Sequence, residues 1–393
     1  MLRRLPILTM TAVLAFSTAA HATAHATAQE GGPVRNVQPR ALGALGANFN
    51  QNLDALDYRE LREAGAQWVR GFFPMPATDD ADPADHFAIR TLTEAAGRGY
   101  DTLLSLKFPY NQASFPAPGS KEMAAELARL DRVLPAVMGK IDIMTIGNEP
   151  FIESLPAERD ERLNTFYETV ARHVIGYRRE HCGAGCGTKL YMGALNRLDL
   201  ADRRTPATER WMTFVRETPE IEGVDIHPHV PAPENTQPFL DYILPRMRAG
   251  QTFLVTEFSL VWHWKQHLED PIAADFARRY GFAPGTKVWQ VIKAAIDNPF
   301  PQRKWRDFLT SCPWFTSQST FLRDQMRLYR GTGRLAVATY GFKQDDLMVR
   351  NFGPDKNPWL LNSVFATYTV KPRGEGTSAP NYWLGAFKAQ QRT

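Results

Sequence analysis

The chain has 393 residues, of which 44% are hydrophobic, 22% charged and 11% aromatic. This composition excludes a disordered chain, a collagen, a disulfide-rich scaffold and a polytopic membrane protein, because each of these classes has a strongly biased composition. The formal charge is only +4 and no basic block is present, so charge gives no argument for binding to nucleic acid or to an anionic membrane.

The first 28 residues are typical of a secretory signal peptide. Met1–Arg4 is positively charged, Leu5–Phe16 is mostly apolar, and small residues follow at spacings that fit cleavage within residues 22–28. The apolar run is too short to cross about 30 Å of hydrocarbon, which argues against a membrane anchor. We therefore expect residues 1–28 to be removed and residues 29–40 to form an N-terminal extension. The mature protein is expected to be periplasmic or secreted and free of the membrane.

From residue 41 onward, short apolar runs alternate with stretches of helical periodicity. The runs are rich in Val, Ile, Leu, Met and Phe without strict alternation, as in parallel strands that are covered on both faces. Eight strands with intervening helices favour a closed (β/α)8 barrel. The predicted strands are Leu42–Asn48, Gln67–Phe73, Thr102–Phe108, Ile141–Gly147, Lys189–Asn196, Gly223–His227, Thr252–Glu257 and Leu335–Gly341.

The main competing architecture is an open, doubly wound sheet that binds a dinucleotide. Residues 43–48 contain glycines at the first strand, but they do not match G-x-G-x-x-G, and Arg70 rather than an acidic residue stands at the end of the second strand. The nucleotide-binding alternative is therefore disfavoured, and no cofactor is expected.

One segment interrupts the regular alternation of strands and helices. Residues 262–334, between the seventh and eighth strands, are far longer than one barrel helix requires and contain several helical patterns separated by prolines. Because this insertion follows the C-terminal end of a strand, we expect it to lie over the active face of the barrel. No internal repeat or linker appears, so residues 41–393 are predicted to form one catalytic domain, and a monomer is expected.

The cysteines favour a disulfide over a nucleophile. Cys182 and Cys186 lie in a glycine-rich stretch that could close a small disulfide in an oxidising compartment. A zinc site is the alternative, but it needs four ligands and only His181 is nearby. Cys312 is predicted to be a small buried hydrophobic residue.

Two of the predicted strands end in a glutamate. The fourth runs into Asn148-Glu149-Pro150 and the seventh into Thr256-Glu257-Phe258, so both carboxylates are expected at the C-terminal rim, where a barrel presents its reactive groups. Burying part of a carboxylate is costly unless it is paired or hydrogen-bonded, so two of them in one cleft need a purpose. Glycoside hydrolysis supplies one: a carboxylic acid protonates the leaving oxygen, and a second carboxylate attacks or stabilises the anomeric carbon.

In this order, and three strands apart, the two motifs resemble those of the clan A glycoside hydrolases, in the branch that includes families 5, 39 and 53. The resemblance covers most of residues 41–370 and implies a retaining (β/α)8 glycosidase with Glu149 as acid/base and Glu257 as nucleophile. It also implies that Asn148 hydrogen-bonds the sugar 2-hydroxyl and that Arg70 hydrogen-bonds the nucleophile. Ionised Glu257 is then expected to raise the pKa of Glu149.

Other side chains near strand ends are candidates for the same cleft. His227 and His229 end the sixth strand, where the clan often places His or Tyr beside the nucleophile. A zinc pair is the alternative, but no third ligand is evident, so no metal site is predicted. The remaining candidates are Asn50, Lys107 and Asn196, which suit a scaffold role equally well, and Trp262, Trp264 and Tyr340, whose faces can stack on sugar rings. The aromatic residues assigned to the core include Trp68, Trp289 and Trp359.

These observations predict an exported glycosidase that cleaves a poly- or oligosaccharide with retention of configuration. We expect the bond that it cleaves to be β-linked. A transglycosylase uses the same site and differs only in whether water or a sugar hydroxyl intercepts the intermediate. A non-catalytic glycan-binding or assembly protein would not need both carboxylates. A metal-dependent barrel hydrolase would need clustered His and Asp ligands.

Overall fold

A computed structural model of the chain describes residues 42–183 and 185–392. The predicted signal peptide (1–28) and N-terminal extension (29–40) lie outside the described residues. Within them, eight parallel strands follow one another in chain order around a closed barrel. The strands are β1 (Ala44–Phe49), β2 (Trp68–Pro74), β3 (Asp101–Lys107), β4 (Ile143–Ile146), β5 (Lys189–Asn196), β6 (Ile221–His227), β7 (Thr252–Val255) and β8 (Leu335–Lys343).

The closed barrel that the sequence predicts is confirmed. All eight predicted strands are present, and their boundaries agree with the prediction to within two residues. The ring closes because β1 pairs in parallel with β8, with Ala44 opposite Val337. The seventh strand ends at Val255, so Glu257 lies on the loop that leaves the strand.

The side chains that face into the barrel change from apolar to polar along its axis. Near the N-terminal ends of the strands, the interior is filled by a cluster drawn from six strands: Trp68, Leu103, Ile143, Tyr191, Leu254 and Val337. Because side chains alternate between the two faces of a strand, residues two positions further along also face inward. Among them, Arg70 and Ser105 are hydrogen-bonded to each other. The next inward positions include Phe72 and Lys107, which line the C-terminal mouth.

Helices surround the barrel and bury apolar faces against it. In the described residues, no helix is both long and apolar enough to cross a bilayer. The helices are α1 (Tyr58–Ala64), α2 (Phe87–Gly97), α3 (Lys121–Val137), α4 (Glu161–Tyr177), α5 (Pro206–Glu217), α6 (Gln237–Ile243), α7 (Val261–Gln266), α8 (Ala274–Tyr280), α9 (Val288–Asp297), α10 (Gln302–Thr310), α11 (Pro313–Thr316), α12 (Phe321–Gly331), α13 (Asp346–Val349) and α14 (Leu384–Ala389).

The segment between β7 and β8 contains the six helices α7 to α12. Its middle part packs against the chain that follows β8. The Trp305 indole in α10 donates to Asn381 Oδ1 at 3.1 Å, and Phe300 pairs with Val370 as an isolated bridge. The insertion therefore supports the C-terminal segment of the domain.

The structure joins Cys182 and Cys186 in a disulfide, with their Cα atoms 5.1 Å apart. Cys312 is free and buried, as predicted. Burial raises the pKa of the Cys312 thiol to about 12, so the thiol stays protonated at neutral pH.

A buried ion pair links the first helix to the last strand. Lys343 Nζ lies 2.6 Å from Glu60 Oε2, and both side chains are almost fully buried. Glu60 Oε1 also accepts from the backbone N–H of Ser378 at 2.6 Å. Glu60 therefore connects α1, β8 and the C-terminal segment.

We expect Glu60→Gln to lower the free energy of unfolding by about 3–5 kcal/mol, because the charge of Lys343 would stay buried without a carboxylate to neutralise it. Urea denaturation measures the change. Glu94→Gln is the matched control, since Glu94 pairs with Arg98 on the surface, and its effect should be below about 1 kcal/mol. Equal losses in the two variants would contradict a special role for the buried pair.

Candidate active site

A cleft of about 320 Å³ opens at the C-terminal mouth of the barrel. This is the end at which (β/α)8 barrels carry their reactive groups. Both glutamates selected from the sequence lie in it. The cleft is lined by Asn50, Gln51, Phe72, Lys107, Asn148, Glu149, Ile152, Asn196, Arg197, His227, His229, Glu257, Trp262, Met348 and Trp359.

Glu257 is held by a fully buried arginine. Arg70 Nη1 donates to Glu257 Oε1 at 2.6 Å, and the Arg70 side chain has no solvent exposure. Burial by itself would raise the pKa of Glu257, but the charges of His227 and Arg70 and the contact with His229 hold it well below its ordinary value. Glu257 is therefore ionised at neutral pH, the state in which a carboxylate can act as a nucleophile.

The other donors of Arg70 connect neighbouring strands. Nη1 also donates to Asn48 Oδ1 at 3.0 Å, and Nη2 donates to Asn148 Oδ1 at 2.7 Å. Nε and Nη2 donate to Ser105 Oγ at 3.2 and 3.0 Å. A buried guanidinium is tolerated only when its donors are satisfied, so these bonds fix Arg70 beneath the cleft.

Asn148 is oriented from both ends of its amide. Its oxygen accepts from Arg70, and its Nδ2 donates to Glu153 Oε1 at 2.8 Å. Glu153 is buried, and Lys107 Nζ lies 3.0 Å from the same oxygen. An amide nitrogen has two hydrogens, so Asn148 retains one donor for a ligand in the cleft.

Glu149 follows a sharp turn at the end of β4. Gly147 has a φ of +90°, and a Cβ at this position would lie 2.7 Å from the Tyr167 ring, so the turn requires glycine. Glu149 Oε1 accepts from Asn196 Nδ2 at 2.7 Å and lies 2.9 Å from His227 Nδ1. These contacts occupy Oε1, and within the described chain they leave Oε2 for a substrate.

Thr256 fixes the position of the protons on His227. The Thr256 hydroxyl donates to the Asp225 carboxylate, so its oxygen accepts from His227 Nε2–H at 2.8 Å. His227 Nδ1 then faces Glu149 Oε1, and one of these two atoms must carry a proton. Burial alone would lower the pKa of His227, but the nearby carboxylates of Glu257, Asp225 and Glu149 raise it to about 10. The proton therefore sits on His227 at neutral pH.

This arrangement overturns the expectation that the pKa of Glu149 is raised. Burial and the charge of Glu257 do raise it, but the hydrogen bond and the charge of His227 outweigh them, so the pKa of Glu149 is lowered. The sequence argument considered the second carboxylate and omitted the imidazolium between them. The acidic proton of the pair is held at His227 Nδ1.

β6 and β7 stay in register beyond their ends. His229 and Ser259 form an isolated parallel bridge, and the Ser259 N–H donates to the carbonyl of Pro228 at 3.2 Å. His229 Nδ1 lies 2.7 Å from Ser259 Oγ, and its Nε2 lies 3.4 Å from Glu257 Oε2. The extended register thus places His229 beside Glu257.

The two glutamates and the two histidines form one compact cluster. One side-chain nitrogen or oxygen of each of Glu149, His227, His229 and Glu257 lies within 4.8 Å of the corresponding atoms of the other three. Such a set can also ligate a metal ion, and the glutamates supply the further ligands that the sequence argument did not find. His227 fits that role poorly, because both of its ring nitrogens are hydrogen-bonded and a metal needs a free lone pair on a neutral imidazole.

Most of the residues selected from the sequence converge on the cleft: Asn50, Lys107, Asn148, Asn196, His227, His229 and Trp262 line it, and Arg70 lies beneath it. Trp264 and Tyr340 do not, because both are fully buried in the core. Side chains two positions apart in a helix differ by about 200° in direction. Trp264 therefore points away from Trp262 and packs on Phe315. The Tyr340 hydroxyl donates to Asn362 Oδ1 at 2.8 Å. The prediction that Trp264 and Tyr340 contact substrate is therefore wrong.

The structure adds cleft residues that the sequence did not indicate. Trp359, which was assigned to the core, lines the cleft with its ring edge-on to His229, 4.9 Å between centroids. Trp359 and Met348 belong to the segment after β8, which carries no strand-end signal. Of the residues that line the cleft, only Trp262 comes from the insertion at 262–334. The insertion thus contributes Trp262 to the cleft lining, and the chain after β8 contributes Met348 and Trp359.

No protein-family model matches the chain, and no curated protein matches it. Solved structures resemble it at low identity. A glucosidase from Croceicoccus marinus is 13% identical, over 90% of this chain and 68% of that chain, with a TM-score of 0.48. The GH53 catalytic domain of Ignisphaera aggregans is 14% identical, over 91% of this chain and 97% of that chain, with a TM-score of 0.47. A family 39 glycoside hydrolase from Bacteroides cellulosilyticus WH2 is 13% identical, over 89% of this chain and 64% of that chain, with a TM-score of 0.48. The chain thus spans less than two thirds of the last of these. Similarity at this level assigns no activity to the chain. Any assignment of activity must rest on the geometry of the cleft.

We expect His227 to remain protonated through neutral pH and to titrate near pH 10. The ring nitrogen shifts of ¹⁵N-histidine-labelled protein measure this, with His227→Gln identifying the signals. Because the folded pKa lies above the unfolded value of about 6.5, the imidazolium stabilises the fold fully below pH 6.5, and this contribution is lost as pH rises through about 10. Titration of His227 near its unfolded value would contradict the proton assignment.

Proposed function

We propose that the protein is an exported, retaining glycoside hydrolase that cleaves the β-glycosidic bonds of a poly- or oligosaccharide. The observation that carries the proposal is the approach of Glu149 and Glu257 to within 4.8 Å at one cleft. Retaining enzymes hold the two carboxyl groups about 5–5.5 Å apart, whereas inverting enzymes separate them by about 6.5–9.5 Å to admit a water. The short separation fits direct attack by one carboxylate on the sugar.

In the first step, Glu257 forms a bond to the anomeric carbon while the bond from that carbon to the leaving oxygen breaks. Glu149 takes the proton held at His227 Nδ1 and passes it to the leaving oxygen, so that Glu149 is ionised and His227 is neutral when the leaving group departs; the second step returns the proton to His227. The charge of Glu257 is what most strongly raises the pKa of His227. As Glu257 loses that charge by forming the ester, the proton on His227 becomes more acidic. Attack at the sugar and proton release toward the leaving group are thereby coupled.

In the second step, ionised Glu149 takes a proton from water as that water attacks the anomeric carbon and releases Glu257. This is the same group acting in reverse, as microscopic reversibility requires. A sugar hydroxyl in place of water would make the protein a transglycosylase. The free donor of Asn148 is placed for the sugar 2-hydroxyl, a contact that strengthens in the transition state.

The cleft also offers aromatic faces for the sugar rings. Trp262 and Trp359 are both partly exposed and line the cleft from two segments, one after β7 and one after β8. Indole faces stack on the apolar faces of pyranose rings through dispersion. We assign these two side chains to substrate binding.

Export to the periplasm or the exterior fits two features of the chain. The N-terminal residues have the composition of a signal peptide, and Cys182 is bonded to Cys186. Disulfides persist in oxidising compartments and are rare in the cytosol. A glycan is the substrate that such a location and this cleft support.

The proposal is tested with Glu149→Gln and Glu257→Ala on a panel of β-linked oligosaccharides and aryl β-glycosides. Glu149→Gln should lower kcat by about 10²–10⁴-fold on oligosaccharides, because their leaving groups need a proton, and far less on dinitrophenyl glycosides. Glu257→Ala should abolish turnover of both kinds of substrate. ¹H NMR of the first product should show the β-anomer. Glu217→Gln, on an exposed side chain, is the control and should keep the wild-type rate.

Four outcomes would count against it. Wild-type turnover in Glu257→Ala would refute the nucleophile, and an α-anomer as first product would show inversion. Loss of activity on chelation with dipicolinate, restored by Zn²⁺, would favour a metal-dependent hydrolase. Glycan binding without any product, undiminished in Glu149→Gln, would favour a non-catalytic binding protein.

A further inference from the structure

A second cavity, of about 270 Å³, adjoins the active-site cleft. The two share three lining residues, Ile152, Asn196 and Arg197. Asn196 is also a hydrogen-bond donor to Glu149, so the second cavity begins next to the proposed acid/base. It is distinguished by its charged residues, Arg159, Arg197, Arg203 and Asp202, and we call it the arginine cavity.

Arg197 is fixed at the junction of the two cavities. Its guanidinium makes two hydrogen bonds of 3.1 Å to the buried carboxylate of Asp199, and it lies 5.7 Å from the centre of the Trp262 ring. Its backbone is held in the left-handed region, at a φ of 55°. A non-glycine residue rarely adopts this conformation, so the surrounding structure must impose it. Arg197 is thus positioned, and its charge is already neutralised.

Arg159 has a charge that no carboxylate in the described residues neutralises. Its Nη2 donates to the backbone carbonyls of Ile152 and Ser154 at 3.2 and 3.0 Å, and its Nε is buried without an acceptor. Arg203 adds a second cation, whose nearest carboxylate, Asp202, is 3.7 Å away and largely exposed. Burial and then the charge of Arg203 lower the pKa of Arg159. An anion between the two arginines would relieve their repulsion and accept the unused donor.

A helix end adds to the positive potential of this cavity. α5 begins at Pro206 and is capped by Thr205, which lines the cavity with Thr208. The N-terminus of a helix carries a partial positive charge that favours a nearby anion. The lining therefore offers three features to an anion: Arg159, which has no carboxylate partner in the described residues, Arg203, whose one ion pair is long and exposed, and the N-terminus of α5.

The position of the cavity decides which part of a substrate it would meet. In the proposed reaction, Glu149 must contact the leaving oxygen, whereas Glu257 contacts the anomeric carbon of the other sugar. Glu257, His229 and Trp359 line the cleft and not the arginine cavity. A chain that continues past the leaving oxygen on the side of Glu149 would therefore enter the arginine cavity.

We propose that the arginine cavity binds an anionic substituent on the leaving-group side of the substrate, a uronate carboxylate or a sulfate ester. Both anions match the planar guanidinium, which binds their oxygens with two parallel hydrogen bonds. This inference rests on the proposed glycosidase function and narrows its substrate to acidic saccharides.

The test compares aryl β-glycosides that share one glycone and differ only in the leaving group: 4-nitrophenol, 3-carboxy-4-nitrophenol or 3-sulfo-4-nitrophenol. In the wild type, kcat/KM should be about tenfold or more higher for at least one charged leaving group, after correction for leaving-group pKa, because a charge-assisted contact contributes that much. The ratio of kcat/KM for the charged leaving group to kcat/KM for the neutral one should fall toward one in Arg159→Gln and Arg203→Gln. It should stay at the wild-type value in Arg179→Gln, a surface control, and should shrink at high salt.

A binding measurement separates this inference from the proposed function. Calorimetry compares glucosyl-β-1,4-glucuronic acid, a disaccharide whose one carboxylate is on the leaving-group sugar, with neutral cellobiose on wild type and Arg203→Gln. Preference for the acid that Arg203→Gln removes would support the arginine cavity even if no glycoside were cleaved. Hydrolysis with the same charged-to-neutral ratio in wild type, Arg159→Gln and Arg203→Gln, and no preference for the acid in calorimetry, would overturn the inference and leave the glycosidase proposal standing.

Discussion

The positive charge of Arg70 inside the barrel is the constraint on which the rest of the site depends. A guanidinium without solvent exposure is stable only if carboxylates and carbonyl-type oxygens surround it. Its partners come from β1, β3, the turn after β4 and the loop after β7, so only a closed barrel brings them together. Glu257 is the one carboxylate among them. Its location is therefore set by the need to neutralise a buried cation.

The same balance of charges determines where the protons are. Two fully buried cations, Arg70 and His227, contact two partly buried anions, Glu149 and Glu257, so their charges are screened less than on the surface. Thr256 and Asp225 fix the Nε2–H of His227, which leaves its Nδ1 to share a proton with Glu149. A change of charge at Glu257 is consequently felt at Glu149 through the imidazole. The carboxyl groups of Glu149 and Glu257 are thus two parts of one titrating unit.

Sequence reasoning succeeded where local pattern determines position. The barrel strands, and the glutamates that follow β4 and β7, could be identified because apolar runs and strand ends are local features. It failed where tertiary packing decides the position of a side chain. Trp359 lines the cleft from a segment without a strand-end pattern, and Trp264 lies on the buried side of a short helix. It also failed for the pKa of Glu149, since the effect of His227 depends on a ring orientation that no sequence pattern reveals.

The central claim is that Glu257 becomes bonded to the sugar while Glu149 stands within 4.8 Å. Covalent trapping tests it most directly. The protein is incubated with dinitrophenyl 2-deoxy-2-fluoro-β-glycosides of several sugars, and the label is located by peptide mass spectrometry. The account predicts one fluoroglycosyl group per chain, on Glu257. A label on another residue, or no label from any sugar whose glycosides the protein hydrolyses, would contradict it.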